Sequence, residues 1–124
     1  MEEEKIYEIR WHGRGGQGTV TAANIISEAA FKDGYKGVQS IPLIGAERRG
    51  SPVAVFSRIS KKPIDLICQI YEPDIVVCID PSLFVKNKDM IIAGLKSNGI
   101  LIVNTTQDPE NIMIEGKNKL KICT

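Results

Sequence analysis

The sequence predicts an α/β fold in which helices cover both faces of a mostly parallel sheet. Two unbroken runs of apolar and β-branched residues, 74–79 and 100–103, are typical of strands that are buried on both sides in a parallel sheet. A helical pattern lies between them and gives a strand–helix–strand crossover. A strand and a helix joined by a glycine-rich loop, 13–18, precede this crossover. At 124 residues the chain is long enough for one core and too short for two, so we expect a single three-layer domain over residues 1–124.

The first half of the chain reads as a strand, a helix and two further strands. Alternating polarity predicts a strand over 5–11, which the glycine loop ends. Apolar residues at helical spacing predict a helix over 19–32, and a short strand follows over 36–41. Residues 52–60 alternate in polarity, which predicts a strand with one partly wet face that is either antiparallel to its neighbours or at an edge. The apolar residues that define the helix are Val20, Ala23, Ile26 and Ala30.

The second half supplies the crossover and its capping signals. Asp80 is suited to cap a helix and Pro81 to occupy the first helical position, so we expect a helix over 82–95 that ends before Gly99. Together with the first strand–helix unit, this pattern is that of a Rossmann-like domain. The stripe of the helix that should face the sheet consists of Leu83, Phe84, Ile91 and Leu95.

Composition excludes several classes of function. Sixteen Lys and Arg against fifteen Asp and Glu leave a formal charge of +1, so no global field would hold the protein on nucleic acid or an anionic membrane. The acidic N-terminus and the lack of a long apolar segment predict a cytoplasmic protein. Cys68, Cys78 and Cys123 show no Cys-x-x-Cys spacing, and His12 is alone, so we expect no metal in this chain. We expect Cys78 to be a small buried hydrophobe and His12 to be packed or solvated.

The glycine loop matches the dinucleotide-binding fingerprint in spacing and context. Gly13, Gly15 and Gly18 follow a strand and precede a helix, where the backbone can approach a phosphate and helix N–H groups point at it. The fingerprint also needs an acidic residue at the end of the second strand. Residues 39–42 are Gln-Ser-Ile-Pro, and Asp33 belongs to a turn at the opposite edge of the sheet. We therefore expect weak binding of NAD or NADP, with a purely structural glycine turn as the alternative.

Arginines in two glycine-containing loops are the other signal of a binding site. Arg14 lies in the glycine loop, and Arg48 and Arg49 lie in the loop 42–50. The guanidinium fork suits a phosphate, a carboxylate or the acidic groups of a partner, and both loops should meet at the carboxyl edge of the sheet. No nucleophile elbow is present, so we expect no catalytic residue in this chain.

Three segments, in this order, resemble the gamma subunits of 2-oxoacid:ferredoxin oxidoreductases. They are Gly13-Arg14-Gly15-Gly16-Gln17-Gly18, then Thr21-Ala22-Ala23 with Glu28-Ala29-Ala30-Phe31, and then Gly45-Ala46-Glu47-Arg48-Arg49-Gly50-Ser51-Pro52-Val53. The crossover with Asp80-Pro81 and residues 99–103 is similar too, so the likeness covers nearly the whole chain. The Glu-Arg-Arg-Gly-Ser-Pro-Val form resembles pyruvate-type gamma subunits more than 2-oxoglutarate types.

The resemblance implies a non-catalytic subunit of a complex that converts a 2-oxoacid, with pyruvate favoured, and coenzyme A to acyl-CoA and CO2 while reducing ferredoxin. It also implies thiamine diphosphate and Mg²⁺ between alpha and beta subunits, 4Fe–4S clusters in beta and delta subunits, and no such group in this chain. Gamma subunits continue past the strand that 119–123 resembles. We therefore expect the domain to be incomplete at its C-terminal end and the isolated chain to self-associate through uncovered apolar surface.

On this resemblance the two loops would bind coenzyme A or face a partner subunit. The residues expected to bind the cofactor are Gly13, Arg14, Gly15, Gly16, Gln17, Gly18, Arg48 and Arg49, and those expected at a subunit interface are Glu47 and Gly50. Two alternatives stay open. One is a free-standing nucleotide-binding module, and the other is the 2-oxoglutarate, 2-oxoisovalerate or indolepyruvate version of the same complex.

Overall fold

A six-stranded mixed sheet with one helix on each face forms the core of the computed structural model, which describes residues 5–43, 50–65, 67–112 and 121–123. Within these residues, neither helix has the length and apolar character needed to cross a membrane. The elements in chain order are β1 (Tyr7–Arg14), α1 (Thr19–Lys32), β2 (Gly37–Pro42), β3 (Pro52–Ser60), β4 (Ile75–Cys78), α2 (Pro81–Ile92), β5 (Ile100–Val103), a 3-10 turn (Pro109–Asn111) and β6 (Lys121–Cys123).

The strand order β2–β3–β1–β4–β5–β6 combines two arrangements. β1, β4, β5 and β6 run parallel, while β3 lies antiparallel to both of its neighbours, β1 and β2. The expectation of a mostly parallel, Rossmann-like sheet is therefore not confirmed. The strand predicted over 52–60 is antiparallel, as one alternative had it, but it is not at an edge. Antiparallel pairing lets β3 return beside β2 after a loop that is too short for a parallel crossover.

Most element bounds agree with the sequence pattern. One helix and two strands have the predicted bounds, namely 19–32, 52–60 and 100–103. β1 runs further than expected, through Gly13 to Arg14, because its last two residues pair with the start of β3. Pairing with β3 thus keeps Gly13, the first glycine of the loop, within the hydrogen-bonded sheet.

α2 is shorter at its C-terminus than the pattern predicts. It begins at Pro81 with Asp80 as its cap, as predicted, but it ends at Ile92. Gly94 follows with a φ of +75°, and a Cβ at that position would lie 1.7 Å from the carbonyl oxygen of Tyr71. The chain therefore leaves the helix where another stretch of backbone approaches too closely for any side chain.

β4 shows which helix covers which face of the sheet. Ile75 and Val77 pack toward the cluster beneath α1, whereas Val76 and Cys78, both fully buried, belong to the cluster beneath α2. The helices thus lie on opposite faces, and the fold has three layers. The prediction that Cys78 is a buried hydrophobe is confirmed. The predicted stripe of α2 is also buried in this cluster, with Leu83, Phe84, Ile91 and Leu95.

A run of hydroxyl groups joins the sheet to α1. The Trp11 indole donates to Ser57 Oγ (2.9 Å), which lies 2.8 Å from Ser40 Oγ, and Ser40 Oγ lies 2.6 Å from Ser27 Oγ. Ser40 also donates to the carbonyl of Ala23 at 3.2 Å. These bonds cross the three antiparallel strands and satisfy polar groups beneath the helix.

Arg58 is a buried charge that fastens the segment after β3 to the sheet. Only 1% of Arg58 is exposed. Its Nε pairs with Glu8 Oε2 at 2.9 Å, and its Nη groups donate to the carbonyls of Cys68 (2.8 Å) and Gln69 (3.2 Å). Gln39 Oε1 accepts from Nη1 at 3.1 Å. These acceptors replace the water that the guanidinium loses on burial.

Arg10 is a second buried arginine, and it is held by carbonyls and an imidazole. Its Nη2 donates to the carbonyls of Ile91 and Ala93, each at 2.7 Å, and Nη1 donates to that of Ile70 at 3.2 Å. Nε donates to His12 Nε2 at 3.0 Å. Burial, and then the charge of Arg10, lower the pKa of His12 to about 4, so the imidazole is a neutral acceptor at pH 7. Of the two alternatives expected for His12, packed or solvated, the structure has the packed one.

We expect Arg58→Met to lower the free energy of unfolding by about 3–5 kcal/mol, because it leaves the Glu8 carboxylate and two carbonyls without their donor. Urea unfolding followed by circular dichroism measures this change. Lys32→Met is the matched control, since the Lys32–Glu28 pair is exposed, and it should change the value by at most about 0.5 kcal/mol. A loss for Arg58→Met no larger than the control's would contradict a structural role for the buried arginine.

Candidate functional site

A crevice is expected where two neighbouring parallel strands send their helices to opposite faces of a sheet. β1 and β4 are such a pair, because α1 follows β1 on one face and α2 follows β4 on the other. The glycine loop 13–18 follows β1, and residues 79–80 lead from β4 into α2. The candidate site therefore lies between β1 and β4 at the carboxyl edge of the sheet.

The glycine loop turns sharply from β1 into α1. Gly16 and Gly18 have φ values of +90° and +80°, in the left-handed region that favours glycine. Gly15 is tied to the end of the second loop, since its N–H donates to Ser51 O (2.8 Å) and its carbonyl accepts from the Gly50 N–H (3.0 Å). The described end of the second loop, Gly50 and Ser51, thus lies beside the glycine loop at this edge of the sheet.

α1 begins without a side-chain cap. Gly18 is its N-cap residue, and no side chain accepts a hydrogen bond there. The first N–H groups and the positive end of the helix dipole therefore have no acidic or hydroxyl cap, and such helix starts attract anions. A groove of about 380 Å³ opens at this helix start. It is lined by Arg14, Gly16, Gly18, Thr19, Val20, Thr21 and Val53.

Thr19 closes the back of the glycine turn. Its hydroxyl is buried without a hydrogen-bond partner, and a Cβ added to Gly13 would lie 2.0 Å from it. The close approach of the helix start to β1 thus accounts for glycine at position 13.

Asp80 follows β4 and joins the glycine loop to α2. Its Oδ1 accepts from the N–H groups of Ser82 (2.7 Å) and Leu83 (3.2 Å) and from the Ser82 hydroxyl. Its Oδ2 accepts from Gln17 Nε2 at 2.7 Å and lies 3.3 Å from Arg14 Nε. One carboxylate oxygen therefore caps α2, and the other holds the glycine loop.

Hydrogen bonds keep Asp80 ionised in spite of its burial. The Ser82 hydroxyl, then Gln17 and the N–H groups of α2, lower the pKa of Asp80 to about 2. At neutral pH its charge balances that of Arg14. Beside this neutral pair, the uncapped start of α1 adds the positive end of a helix dipole.

Arg14 is anchored within the chain. Besides the Asp80 pair, Nη1 donates to Gly50 O at 2.9 Å and Nη2 to Ser82 Oγ at 3.3 Å. The backbone N–H of Arg14 donates to Gln17 Oε1 at 2.7 Å. The sequence suggests that Arg14 and Gln17 face a cofactor, which stays a prediction, and in the structure both side chains contact Asp80.

The structure brings together part of the predicted set of site residues. The glycine loop and Gly50 lie side by side, whereas Glu47, Arg48 and Arg49 lie outside the described residues. The sequence pattern assigns Asp80 only to the cap of α2 and misses its ion pair with Arg14. The signal that could have predicted this ion pair is topological. Arg14 ends β1 and Asp80 comes after β4, and a parallel sheet can place these two strands side by side.

The acidic residue of the dinucleotide fingerprint has no counterpart in β2. The strand Gly37–Pro42 contains no acid, and Gln39 accepts a hydrogen bond from Arg58. Asp33 follows the end of α1, a helix of 14 residues that begins at the glycine loop, and lines a groove with Tyr7 at the amino end of β1. Weak binding of NAD stays an expectation.

The described part of the chain contains no group of three His, Cys, Asp or Glu that could hold a metal ion. Cys78 donates to the carbonyl of Asp80 at 3.3 Å, and burial raises the pKa of its thiol to about 11. The thiol is therefore protonated at neutral pH.

Comparison with known proteins identifies the family. The family model described as pyruvate ferredoxin/flavodoxin oxidoreductase matches residues 8–123. The chain belongs to this family. The match extends from β1 to β6.

Two curated relatives carry names of gamma-type subunits. The chain is 57% identical over 116 residues to the pyruvate/ketoisovalerate oxidoreductases common subunit gamma of Pyrococcus abyssi, over 94% of this chain and 61% of the relative. It is 50% identical over 113 residues to the pyruvate synthase subunit PorC of Methanosarcina barkeri, over 91% of this chain and 60% of the relative. The chain thus spans about three fifths of the length of the curated relatives it matches. The resemblance to gamma subunits seen in the sequence is confirmed.

Solved structures of this oxidoreductase family share the fold. The pyruvate oxidoreductase subunit PORC of Thermotoga maritima superposes with a TM-score of 0.72 at 42% identity, over 86% of this chain and 54% of that chain. A 2-oxoglutarate:ferredoxin oxidoreductase from Magnetococcus marinus has a TM-score of 0.69 at 22% identity, over 97% of this chain and 20% of that chain. The latter supports the fold alone.

We expect Asp80→Asn to lower the free energy of unfolding at neutral pH by about 1.5–3 kcal/mol, the range for hydrogen bonds to a charged group. The pKa of Asp80 is depressed from 3.8 to about 2 on folding. Its stabilisation is therefore complete above about pH 4 and is lost as the pH falls towards about 2. The difference in unfolding free energy between parent and variant, measured with urea, should be constant near neutrality and shrink below about pH 4.

The control for this prediction is Asp108→Asn. Asp108 is exposed and makes no side-chain cap at the 3-10 turn that it precedes, so its replacement should change the unfolding free energy by less than about 0.5 kcal/mol. A parent–variant difference for Asp80→Asn that grows on acidification would show that the sign of the pKa shift is wrong.

Proposed function

We propose that the chain is the gamma-type, non-catalytic part of a 2-oxoacid:ferredoxin oxidoreductase complex. The complex would convert a 2-oxoacid, with pyruvate favoured, and coenzyme A to acyl-CoA and CO2, and transfer the two electrons released to ferredoxin. The family match over residues 8–123 carries this proposal, and relatives named as gamma or PorC subunits narrow it to this subunit. One relative is named as common to pyruvate and ketoisovalerate oxidoreductases, so we place the selection of the 2-oxoacid in partner chains.

In this proposal the reactive groups belong to alpha, beta and delta subunits in the cytoplasm. Those chains would hold thiamine diphosphate, Mg²⁺ and the 4Fe–4S clusters.

We assign to this chain a role in holding the phosphates of coenzyme A at the open start of α1. Gly16 and Gly18 present backbone without a Cβ, and the uncapped N–H groups of α1 offer donors and a positive field. The groove of about 380 Å³ at this point has room for a phosphate group. Arg48 and Arg49 would add charge, because their neighbour in sequence, Gly50, is hydrogen-bonded to the glycine loop.

The alternative use of the same edge is contact with an acidic surface of a partner subunit, through Arg48 or Arg49 together with Glu47 and Gly50. In either use Arg14 acts by holding the glycine turn in place together with Asp80, because Asp80 neutralises its charge. Substitution of these residues would impair the use of coenzyme A in the first case and assembly of the complex in the second. Measuring both kinetics and assembly therefore separates the two uses.

Affinity purification of the tagged protein from its native host, under anaerobic conditions, should recover alpha-, beta- and delta-type chains together with iron. Mass spectrometry and iron analysis of the same fraction measure this. The matched control is the chain expressed alone, which should be colourless and inactive with pyruvate because its partners hold the reactive groups. Recovery of the chain without partners, or stoichiometric iron in the chain expressed alone, would contradict the proposal.

We expect from the sequence that the loop 42–50 is extended at Arg48 and Arg49, so that adjacent side chains point to opposite sides and one reaches outward. Arg48→Ala and Arg49→Ala should therefore have unequal effects in the assembled complex. The outward one should leave the fold intact and weaken assembly or coenzyme A use by about 1.5–3 kcal/mol, the range for a charged hydrogen bond. A raised KM for coenzyme A with intact assembly indicates phosphate binding. Lost co-purification indicates the subunit interface.

The control for the arginine variants is Lys36→Ala, which removes an exposed cation just before β2, at the opposite edge of the sheet. It should assemble and turn over like the parent. If both arginine variants behave like this control, the loop has neither of the two roles.

A further inference from the structure

Gln17 holds the glycine loop at two points. Its side-chain Oε1 accepts from the N–H of Arg14 at 2.7 Å, and its Nε2 donates to Asp80 Oδ2 at 2.7 Å. The backbone N–H of Gln17 also donates to the carbonyl of Arg14 at 3.1 Å and closes the turn. Both ends of one side-chain amide are therefore engaged, although Gln17 is an exposed residue.

The orientation of this amide is set by its two neighbours. A backbone N–H can only donate and an ionised carboxylate can only accept, so the amide oxygen faces Arg14 and the amide nitrogen faces Asp80. The other oxygen of Asp80 accepts from the N–H groups of Ser82 and Leu83, and it cannot turn towards the loop without releasing the cap of α2. The start of α2 thus fixes the group on which Gln17 anchors the loop.

The turn that Gln17 closes determines which N–H groups of the loop are free. Those of Arg14, Gly15 and Gln17 donate to acceptors within the chain. Within the described residues, the N–H groups of Gly16 and Gly18 make no hydrogen bond, and no side chain caps the first N–H groups of α1. Gly16 and Gly18 line the groove of about 380 Å³ at the start of α1. The free donors therefore belong to the part of the loop that borders this groove.

We propose that Gln17 is a positioning residue, whose amide, anchored on Asp80, holds the glycine loop in the shape that directs its free N–H groups at a phosphate of coenzyme A. The inference rests on the proposed function, because coenzyme A is the ligand that it names. Gln17 acts through the loop backbone and not by direct contact with the phosphate, since both ends of its amide are engaged elsewhere.

Exchanging donor and acceptor between positions 17 and 80 tests this role. In Asp80→Asn, the new amide keeps its oxygen on the N–H groups of α2 and turns its nitrogen towards Gln17, so two donors meet. In Gln17→Glu, two carboxylates meet instead. In the double variant, the carboxylate at position 17 accepts from both the Arg14 N–H and the amide nitrogen at position 80. The link is thereby restored in the reverse sense, and the net charge is that of the parent.

The variants are measured in the complex assembled with its partner chains. Gln17→Met should raise the KM for coenzyme A about tenfold, the size of one hydrogen bond to a charged group, with kcat and co-purification of the partners unchanged. Gln17→Glu and Asp80→Asn should each raise this KM similarly, and the double variant should return to within about threefold of the parent.

Gln69→Met is the matched control for Gln17→Met. Gln69 is also an exposed glutamine, but its carbonyl accepts from Arg58, which pairs with Glu8 near the start of β1 and so lies far along the strand from the glycine loop. Its replacement should leave KM, kcat and assembly at the values of the parent.

Hydrogen–deuterium exchange of the peptide 13–18, measured by mass spectrometry in the same complexes, reports on the loop itself. Exchange should be faster in the three single variants at positions 17 and 80, and it should match the parent in the double variant and in the control. Faster exchange together with a raised KM supports a role through the loop backbone.

A KM and an exchange rate like those of the parent in Gln17→Met, or a double variant no better than its single variants, would overturn the positioning role. A raised KM in Arg48→Ala or Arg49→Ala would then leave the proposed function standing. A raised KM without faster exchange would assign Gln17 to direct contact with the ligand and overturn the role equally.

Faster exchange with the KM of the parent would overturn the binding of coenzyme A at the loop and, with it, the role of Gln17. If complexes that contain Asp80→Asn do not assemble, Gln17→Met against Gln69→Met decides the proposal by the same two measurements.

Discussion

β1 pairs antiparallel with β3 on one side and parallel with β4 on the other, and the rest of the protein is arranged around this double role. Ile9 and Trp11 face α1, while Arg10 and His12 lie on the other face. Because α1 and α2 leave the β1–β4 pair on opposite faces, the carboxyl ends of these two strands are where a ligand crevice is expected. The place of the site follows from the strand order.

Charged groups near β1 act mainly as internal fasteners. Arg58 and Arg10 hold the segment after β3 through its carbonyls, and Arg14 with Asp80 joins the carboxyl ends of β1 and β4. Each guanidinium has several acceptors, as the loss of water requires. The side chains of the described crevice are thus largely occupied with one another, whereas the N–H groups at the start of α1 are not capped. Binding capacity in this region therefore belongs to the backbone more than to side chains.

Features with local causes could be predicted from the sequence. The helix over 19–32 follows from side-chain periodicity, and the start of α2 follows from Asp80 and Pro81, which act within one turn. The insertion of β3 between β2 and β1 depends on pairing between distant segments, for which no local pattern exists. The same is true of the carbonyls around Arg10, which lie 60 to 83 residues away in sequence, and of the Arg14–Asp80 pair. From the sequence alone, an arginine is expected in an exposed loop. The sequence does not show that carbonyls far away along the chain can satisfy a buried guanidinium.

The hydroxyl run beneath α1 has an optical consequence. Trp11 is the single tryptophan of the chain, and its indole N–H can only donate, so Ser57 is the acceptor of that bond. Ser40 donates its one proton to the carbonyl of Ala23 in α1, so it accepts from both Ser57 and Ser27. If α1 lifts away, water reaches the indole and its fluorescence shifts to longer wavelength. The protein thus contains an intrinsic emission probe for the seating of one helix, separate from α2 on the opposite face of the sheet.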